Sequence, residues 1–184
     1  MKRKTVKELL ADSLHELAEK KTIDKITVRE ITSNCEYSVP TFYRHFKDKY
    51  DLAFWDYGRR VDSIADRIGD GSFVWRDVLI AGIRYYKKNK EYFMNLINHT
   101  SGMDSFLRYI TQKNTDFLEE YLTRLFAKGS LDPDWKMLIR VYSYGLVMVL
   151  YEWMENGAKD SPEYMADICV KAMPERLNPF FFSK

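Results

Sequence analysis

The segment 26–49, ITVREITSNCEYSVPTFYRHFKDK, constrains this chain more than any other. It reads as two short helices joined by a tight turn. Val28 and Ile31 point to one face, and Cys35 completes that face a turn later. Thr27 stands where an N-cap is needed, with Glu30 three residues on. That is the spacing of a capping box, in which each side chain satisfies the other residue's backbone N–H. Glu36, Tyr37 and Ser38 are too polar and too few for anything but a turn. Ser38 offers a second cap, and Pro40 falls in the first turn of the next helix, where its missing N–H costs nothing. Along that helix, 39–46, Val39, Phe42 and Phe46 recur at i, i+3 and i+7 and pack inward. Pro40, Thr41, Tyr43, Arg44 and His45 are left outside. Hydroxyls, an imidazole and a guanidinium on so short a helix are groups that hydrogen-bond phosphates and base edges. A helical hairpin with no nucleic-acid role leaves this polar face unexplained.

The stretch resembles the DNA-binding signature of the TetR/AcrR family of bacterial transcriptional regulators. The resemblance is carried by Thr27, Val28, Arg29, Glu30 and Ile31, by the run from Ser38 to Phe46, and by Lys47, Asp48, Lys49, Tyr50, Asp51 and Leu52, all in one register. It implies an all-α fold of about nine helices. A three-helix helix-turn-helix head would occupy residues 1–48, and a helical effector-binding and dimerisation domain residues 49–184. Thr27, Arg29, Ser38, Val39, Pro40, Thr41, Tyr43, Arg44, His45 and Lys49 fall on the family's DNA-contact positions. By that resemblance Thr27, Tyr43, His45 and Lys49 mostly hold phosphates. Val39, Pro40, Thr41 and Arg44 face base edges, with Arg44 preferring guanine. One position departs from the family's pattern: Glu36 stands where glycine is usual in the turn. Either the turn differs slightly here, or the chain tolerates about 1 kcal/mol of strain at a positive φ.

With 184 residues, 46% hydrophobic and 30% charged, the chain is long and apolar enough for one or two cored helical domains. The net charge of +2 says little, but residues 1–50 carry 11 Lys/Arg against 8 Asp/Glu, the remainder 18 against 19. The positive surplus therefore lies on the helix-turn-helix segment, where it favours salt-dependent DNA binding. Cys35 and Cys169 are too few and too distant for a disulfide framework, which points to two intracellular thiols. His15, His45 and His99 lack ligand partners at metal-binding spacing, so no metal and no cofactor is expected. The start, MKRKTVKELL, lacks the apolar core of a signal peptide, and the most apolar run, 141–151, is about half a bilayer span. A cytoplasmic protein with no membrane partner is expected. Lys2, Arg3 and Lys4 are either a solvated basic end or an arm near the phosphate backbone.

The rest of the chain reads as helices. The first is expected over 4–21 and a fourth from Lys49 to about 68, ended by Gly69, Asp70, Gly71 and Ser72. Further helices follow over 73–89, 89–98 and 103–127, the last of these stopped by Gly129. Asp132 and Pro133 open a helix reaching to about 156 and stopped by Gly157, and Ser161 and Pro162 open one over 162–173. The helix 134–156 has almost no polar face in its middle, from Val141 to Trp153, so it needs cover on every side. That cover is either the core of a monomer or a second subunit. Gly145, which costs about 1 kcal/mol in mid-helix, suits a close backbone approach. In the resembled family the last two long helices form a dimer bundle, which implies a homodimer through 134–156 and 162–173. Trp75, Tyr86, Phe93, His99, Phe106, Tyr109, Phe117, Tyr121 and Tyr144 are candidates to line an effector pocket, although ordinary core packing explains most of them. A further set of residues, 47–52 followed by Trp55, then 86–93 and 104–106, is similar to short family members that include regulators of dihydroxyacetone kinase operons.

The expected function is a homodimeric repressor released from a palindromic double-stranded DNA operator by a small-molecule effector. The alternative on the same fold is an activator, or a regulator controlled by a protein partner. An enzyme is not expected: the chain carries no Gly-rich phosphate loop, no nucleophile motif and no paired His/carboxylate spacing.

Overall fold

A computed structural model describes residues 3–68, 74–102, 105–126, 131–178 and 181, with 64–68 and 125–126 as backbone alone. Among the described residues there are nine α-helices, one 3-10 turn at Ile23–Lys25 and no strand. The helices are α1 Val6–Ala18, α2 Val28–Asn34, α3 Val39–Tyr43, α4 Lys49–Ile68 and α5 Trp75–Lys88. They continue with α6 Lys90–Asn98, α7 Phe106–Phe126, α8 Pro133–Glu155 and α9 Pro162–Lys171. The expected breaks at 69–72 and at Gly129, and the ends of the helix expected over 103–127, lie outside the described residues. No helix among the described residues is long and apolar enough to cross a membrane. The chain divides into two compact units, Met1–Arg60 with Glu91–Tyr109, and Val61–Lys90 with Ile110–Lys184.

In the first unit α1 is shorter than the 4–21 expected. Thr5 caps it and forms a capping box with Glu8, so the helix starts at Val6. It ends at Ala18 because the chain must then turn to bury Ile23 and Ile26, both almost fully enclosed. Side chains from two other helices hold this connector. Asn95 on α6 accepts from the Ile23 N–H at 2.9 Å and donates to the carbonyls of Ala18 and Lys21, each at 2.9 Å. Lys49 Nζ on α4 donates to the carbonyls of Asp24 and Ile26, each at 2.7 Å. Orphan carbonyls at a helix end otherwise need water or a cap, and here side chains do that work.

Leu10, Leu14, Ile31, Phe42, Leu52 and Leu96 form the centre of this unit, each contributing about 1.5–3 kcal/mol of apolar burial. One carboxylate is buried among them. Asp56, 2% exposed, accepts from His15 Nε2 at 3.0 Å and from Arg59 Nε at 2.8 Å, with Arg60 Nε at 3.5 Å. Burial alone raises a carboxyl's pKa, but the hydrogen bond from His15 and the Arg60 and Arg59 charges outweigh it, so Asp56 stays below its ordinary value. His15 is also stacked on Tyr92 of α6, ring centroids 3.6 Å apart.

In the second unit α5 packs along α9 and touches α8. Arg76 pairs with Asp167 at 2.6 Å, and Arg84 with Glu163. Trp75 stacks on Phe117 and leans on Phe181, and its Nε1 donates to the Tyr142 hydroxyl at 3.2 Å. The Tyr142 hydroxyl in turn donates a hydrogen bond to the Cys169 carbonyl at 2.8 Å. Both α8 and α9 begin as expected: Asp132 and Ser161 cap them and proline follows each cap.

The two sides of α8 differ in cover: its charged residues, Asp134, Lys136, Arg140, Glu152 and Glu155, are all exposed, but so are several large apolar ones. Ile139, Tyr142, Val147, Leu150 and Trp153 are buried. Met137, Val141, Tyr144, Met148 and Val149 are exposed, Val141 by 65%. Tyr164 and Ile168 of α9 are exposed as well. A Cβ built on Gly145 meets nothing within 4 Å beyond its own helix, so no other described part of the chain approaches it closely.

Candidate nucleic-acid interface

The site is built from α2, the turn after it, and α3. Thr27 accepts from the Glu30 N–H at 3.2 Å while Glu30 Oε2 accepts from the Thr27 N–H at 2.9 Å, the expected capping box. Glu30 also takes the Lys21 ammonium at 2.6 Å. That bond, with those to Thr27, lowers its pKa to about 2. The turn closes as a Schellman motif: the Tyr37 N–H reaches the Thr32 carbonyl at 2.8 Å, and the Glu36 N–H the Ser33 carbonyl at 3.4 Å. This geometry needs a left-handed residue at Glu36, whose φ is 60°. Of the two possibilities left open by the sequence, the chain therefore takes the strained one.

Ser38 caps α3 by accepting from the Thr41 N–H at 3.2 Å. The α-helix proper is Val39–Tyr43, shorter than the 39–46 expected. The chain stays wound beyond it, with the Phe46 N–H on the Phe42 carbonyl at 3.0 Å. Phe42 and Phe46 face the core at 0% and 3% exposure. Pro40, Tyr43, Arg44 and His45 are exposed, and Val39 and Thr41 are half-buried. On the outer surface Ser38 Oγ and Thr41 Oγ1 are 2.8 Å apart, and Arg44 Nη2 donates to Thr41 Oγ1 at 3.0 Å. Arg29 is exposed on the first turn of α2. The Thr27 hydroxyl donates to Glu30 at 2.8 Å. Lys49 sits at the start of α4 with two of its three ammonium protons already on the connector, and burial lowers its pKa.

The candidate pocket residues fall into separate groups. Phe93, Phe106 and Tyr109 pack with Phe54 and Tyr57 in the first unit, Phe54 lying flat on Tyr109 at 4.5 Å. His99, exposed near the end of α6, turns Nδ1 to the Asn95 carbonyl at 3.0 Å. Trp75, Phe117 and Tyr121 join Phe181 in the second unit. Tyr86 is half-buried on α5, and Tyr144 lies on the exposed side of α8.

Sequence reasoning missed His15, Asp56 and Asn95. A signal existed for Asp56, which shares the inward side of α4 with Leu52, Ala53 and Tyr57. A carboxylate there must have a partner, since an unpaired buried charge is too costly. Asn95 is likewise flanked on α6 by the buried Tyr92 and Leu96.

The profile of the bacterial regulatory proteins of the tetR family matches residues 10–54, and that of a transcriptional regulator C-terminal region matches residues 74–175. Among solved structures the chain is similar to DhaS, described as a dihydroxyacetone kinase operon activator, at 16% identity and TM-score 0.67, over 91% of this chain and 93% of that one. It is similar to Thermus thermophilus FadR, described as a TetR family repressor and solved with lauroyl-CoA, at 14% identity and TM-score 0.64, over 91% and 92%. NalD of Pseudomonas aeruginosa, described as a secondary repressor of the MexAB-OprM efflux pump, follows at 18% identity and TM-score 0.59, over 91% and 92%. At these identities the likeness shows the fold. No curated protein sequence matches the chain.

Proposed function

The chain belongs to the TetR family of bacterial transcriptional regulators, and from that premise we propose that it is a homodimeric repressor released from a palindromic operator by a small-molecule effector. Its family and fold are those of DNA-binding regulators, not of enzymes. The observation that carries the finer reading is the uncovered apolar side of α8, Met137, Val141, Tyr144, Met148 and Val149, with Tyr164 and Ile168 of α9 beside it. A second copy of the same helices would cover this side, and the open space over Gly145 is where two backbones would approach.

Residues 1–48 act as the reading head and 49–184 as the effector and dimer part. Tyr43, His45 and Thr27 of the head, with Lys49 at the start of α4, hold phosphates. Arg44, Thr41, Pro40 and Val39 face base edges, with Arg29 and Ser38 beside them. Trp75, Phe117 and Tyr121 remain the pocket candidates that pack together in the second unit. An effector there must favour one of two spacings of the heads to release DNA. The cell compartment that suits this work is the cytoplasm. Activation, or control by a protein partner, is the alternative, and a promoter–reporter assay with and without the protein separates it from repression.

Two measurements test the reading. In sedimentation, wild type runs as a dimer at micromolar concentration, while Gly145→Leu shifts toward monomer with its helical content intact, because the added side chain clashes only in the dimer. A stable wild-type monomer rejects the dimer. In footprinting on synthetic inverted repeats, binding peaks with half-site centres about ten base pairs apart or at a longer repeat for two dimers. Binding indifferent to spacer length rejects a rigid two-fold reader.

A further inference from the structure

We propose that Thr41 is the positioning residue that aims Arg44, so that the base preference attributed to this part of α3 is Arg44's, held in place by the Thr41 hydroxyl. The inference rests on the assignment of Arg44 to a base edge. Arg44 lies three residues after Thr41, on the same helical face, and its Nη2 donates to Thr41 Oγ1 at 3.0 Å. A guanidinium has donors only, so Thr41 must be the acceptor. Thr41 Oγ1 is also 2.8 Å from Ser38 Oγ, which already accepts from the Thr41 N–H at 3.2 Å. Accepting from a cation polarises a hydroxyl and makes it a better donor. Either hydroxyl can donate in the Ser38–Thr41 pair; the cation on Thr41 favours Thr41 as the donor, which runs the chain of donors from Arg44 through Thr41 to the helix cap and keeps the Thr41 proton on the protein.

The consequence is specific. A free arginine side chain on an exposed helix samples many rotamers, and a guanidinium reads guanine only when its fork lies in the plane of the base. One Arg44 nitrogen is fastened to a half-buried residue whose own position is fixed by the cap. The remaining donors of the fork are then presented from a defined origin. Thr41 contributes to sequence preference through Arg44, and no separate base pair answers to it.

The test is in vitro selection of the full-length protein on a library of randomised duplexes, followed by titration of the selected site and its single-base variants. Wild type, Thr41→Val, Thr41→Ser, Arg44→Ala and the Thr41→Val/Arg44→Ala double variant are compared. Thr41→Val keeps the shape and the backbone N–H that Ser38 caps but removes the hydroxyl. It is expected to lower discrimination roughly tenfold at one base pair per half-site, the same pair that Arg44→Ala affects. Thr41→Ser is expected to retain the preference, the double variant to match Arg44→Ala, and the salt dependence of Thr41→Val to match wild type. A merely structural role would weaken all sites together and leave the base ratio unmoved, and that result overturns the proposal. So does a change at a different base pair, which would make Thr41 a reader in its own right. Should Thr41→Val melt far below wild type, Thr41→Ala replaces it in the same comparison. If Arg44→Ala leaves every preference intact, the assignment of Arg44 fails and the proposal fails with it.

Discussion

Glu36→Gly should make this protein more stable and bind DNA more tightly, by two mechanisms that can be separated. Glu36 holds φ at 60° because the Schellman closure of α2 requires it. For a residue with a Cβ this conformation costs roughly 1–2 kcal/mol, and glycine escapes it. Glycine also gives the unfolded chain more freedom, which returns about 0.4–1 kcal/mol. The net gain is therefore about 0.5–1 kcal/mol. For a chain of this size that is a rise in Tm of roughly 2–4 °C per kcal/mol. Glu36 is exposed, so no packing is lost. On the proposed reading of this side as the DNA-facing one, removing the Glu36 charge should also raise affinity, more at low salt than at high. Glu36→Gln divides the two effects, since it removes the charge and keeps the strain. Thermal melts should give Gly above both wild type and Gln, and fluorescence anisotropy on operator DNA should place Gly and Gln together above wild type. A Glu36→Gly protein that melts at or below wild type would falsify the strain argument.

Other perturbations follow from the same unit. Glu30, held near pKa 2, is ionised in the folded state well below the pH at which a free glutamate protonates. Its stabilising effect is full above the unfolded value, fades as pH falls from the mid-4s toward 2, and should be absent from the acid limb of Glu30→Gln in a pH series of melts. Asp56→Ala removes the shared partner of His15, Arg59 and Arg60, whose part-exposed side chains can turn to water or, for Arg59, to Glu8, and denaturant titration should show a loss of about 1.5–3 kcal/mol. Lys49→Ala should flatten the salt dependence of DNA binding by about one ion and also lower Tm, because the ammonium holds the Asp24 and Ile26 carbonyls. An unchanged salt slope removes Lys49 from the phosphate contacts.

What the sequence made legible was local. Thr27, Ser38, Asp132 and Ser161 were readable as caps because each bond spans only three residues and is dictated by side-chain type. The strain at Glu36 was legible only as one of two alternatives, because the resembled family usually has glycine there; the positive φ is what decides between them. The apolar pattern of α8 announced an unusual helix, but not which side the chain itself covers. The polar fastenings were illegible for the opposite reason. His15 and Asp56 lie 41 positions apart, and Asn95 meets Ile23 across 72. No periodicity encodes such a pairing. The resemblance assigns Lys49 to phosphate, and no pattern in the sequence announces that its ammonium also bonds the connector; the aromatic residues grouped by composition fall into different clusters.

The grip of Asn95 on the connector also sets an order of events during synthesis. When Asp48 leaves the ribosome, every residue of α1, α2 and α3 exists, yet the groups that Asn95 satisfies at Ala18, Lys21 and Ile23 have no partner. Phe93 and Leu96, which complete the same core, emerge with Asn95, and Phe106 comes later still. At about 5–20 residues per second the nascent head waits several seconds for α6 before its connector can lock. The long-range closure, more than helix formation, should therefore limit how fast this unit reaches its native state.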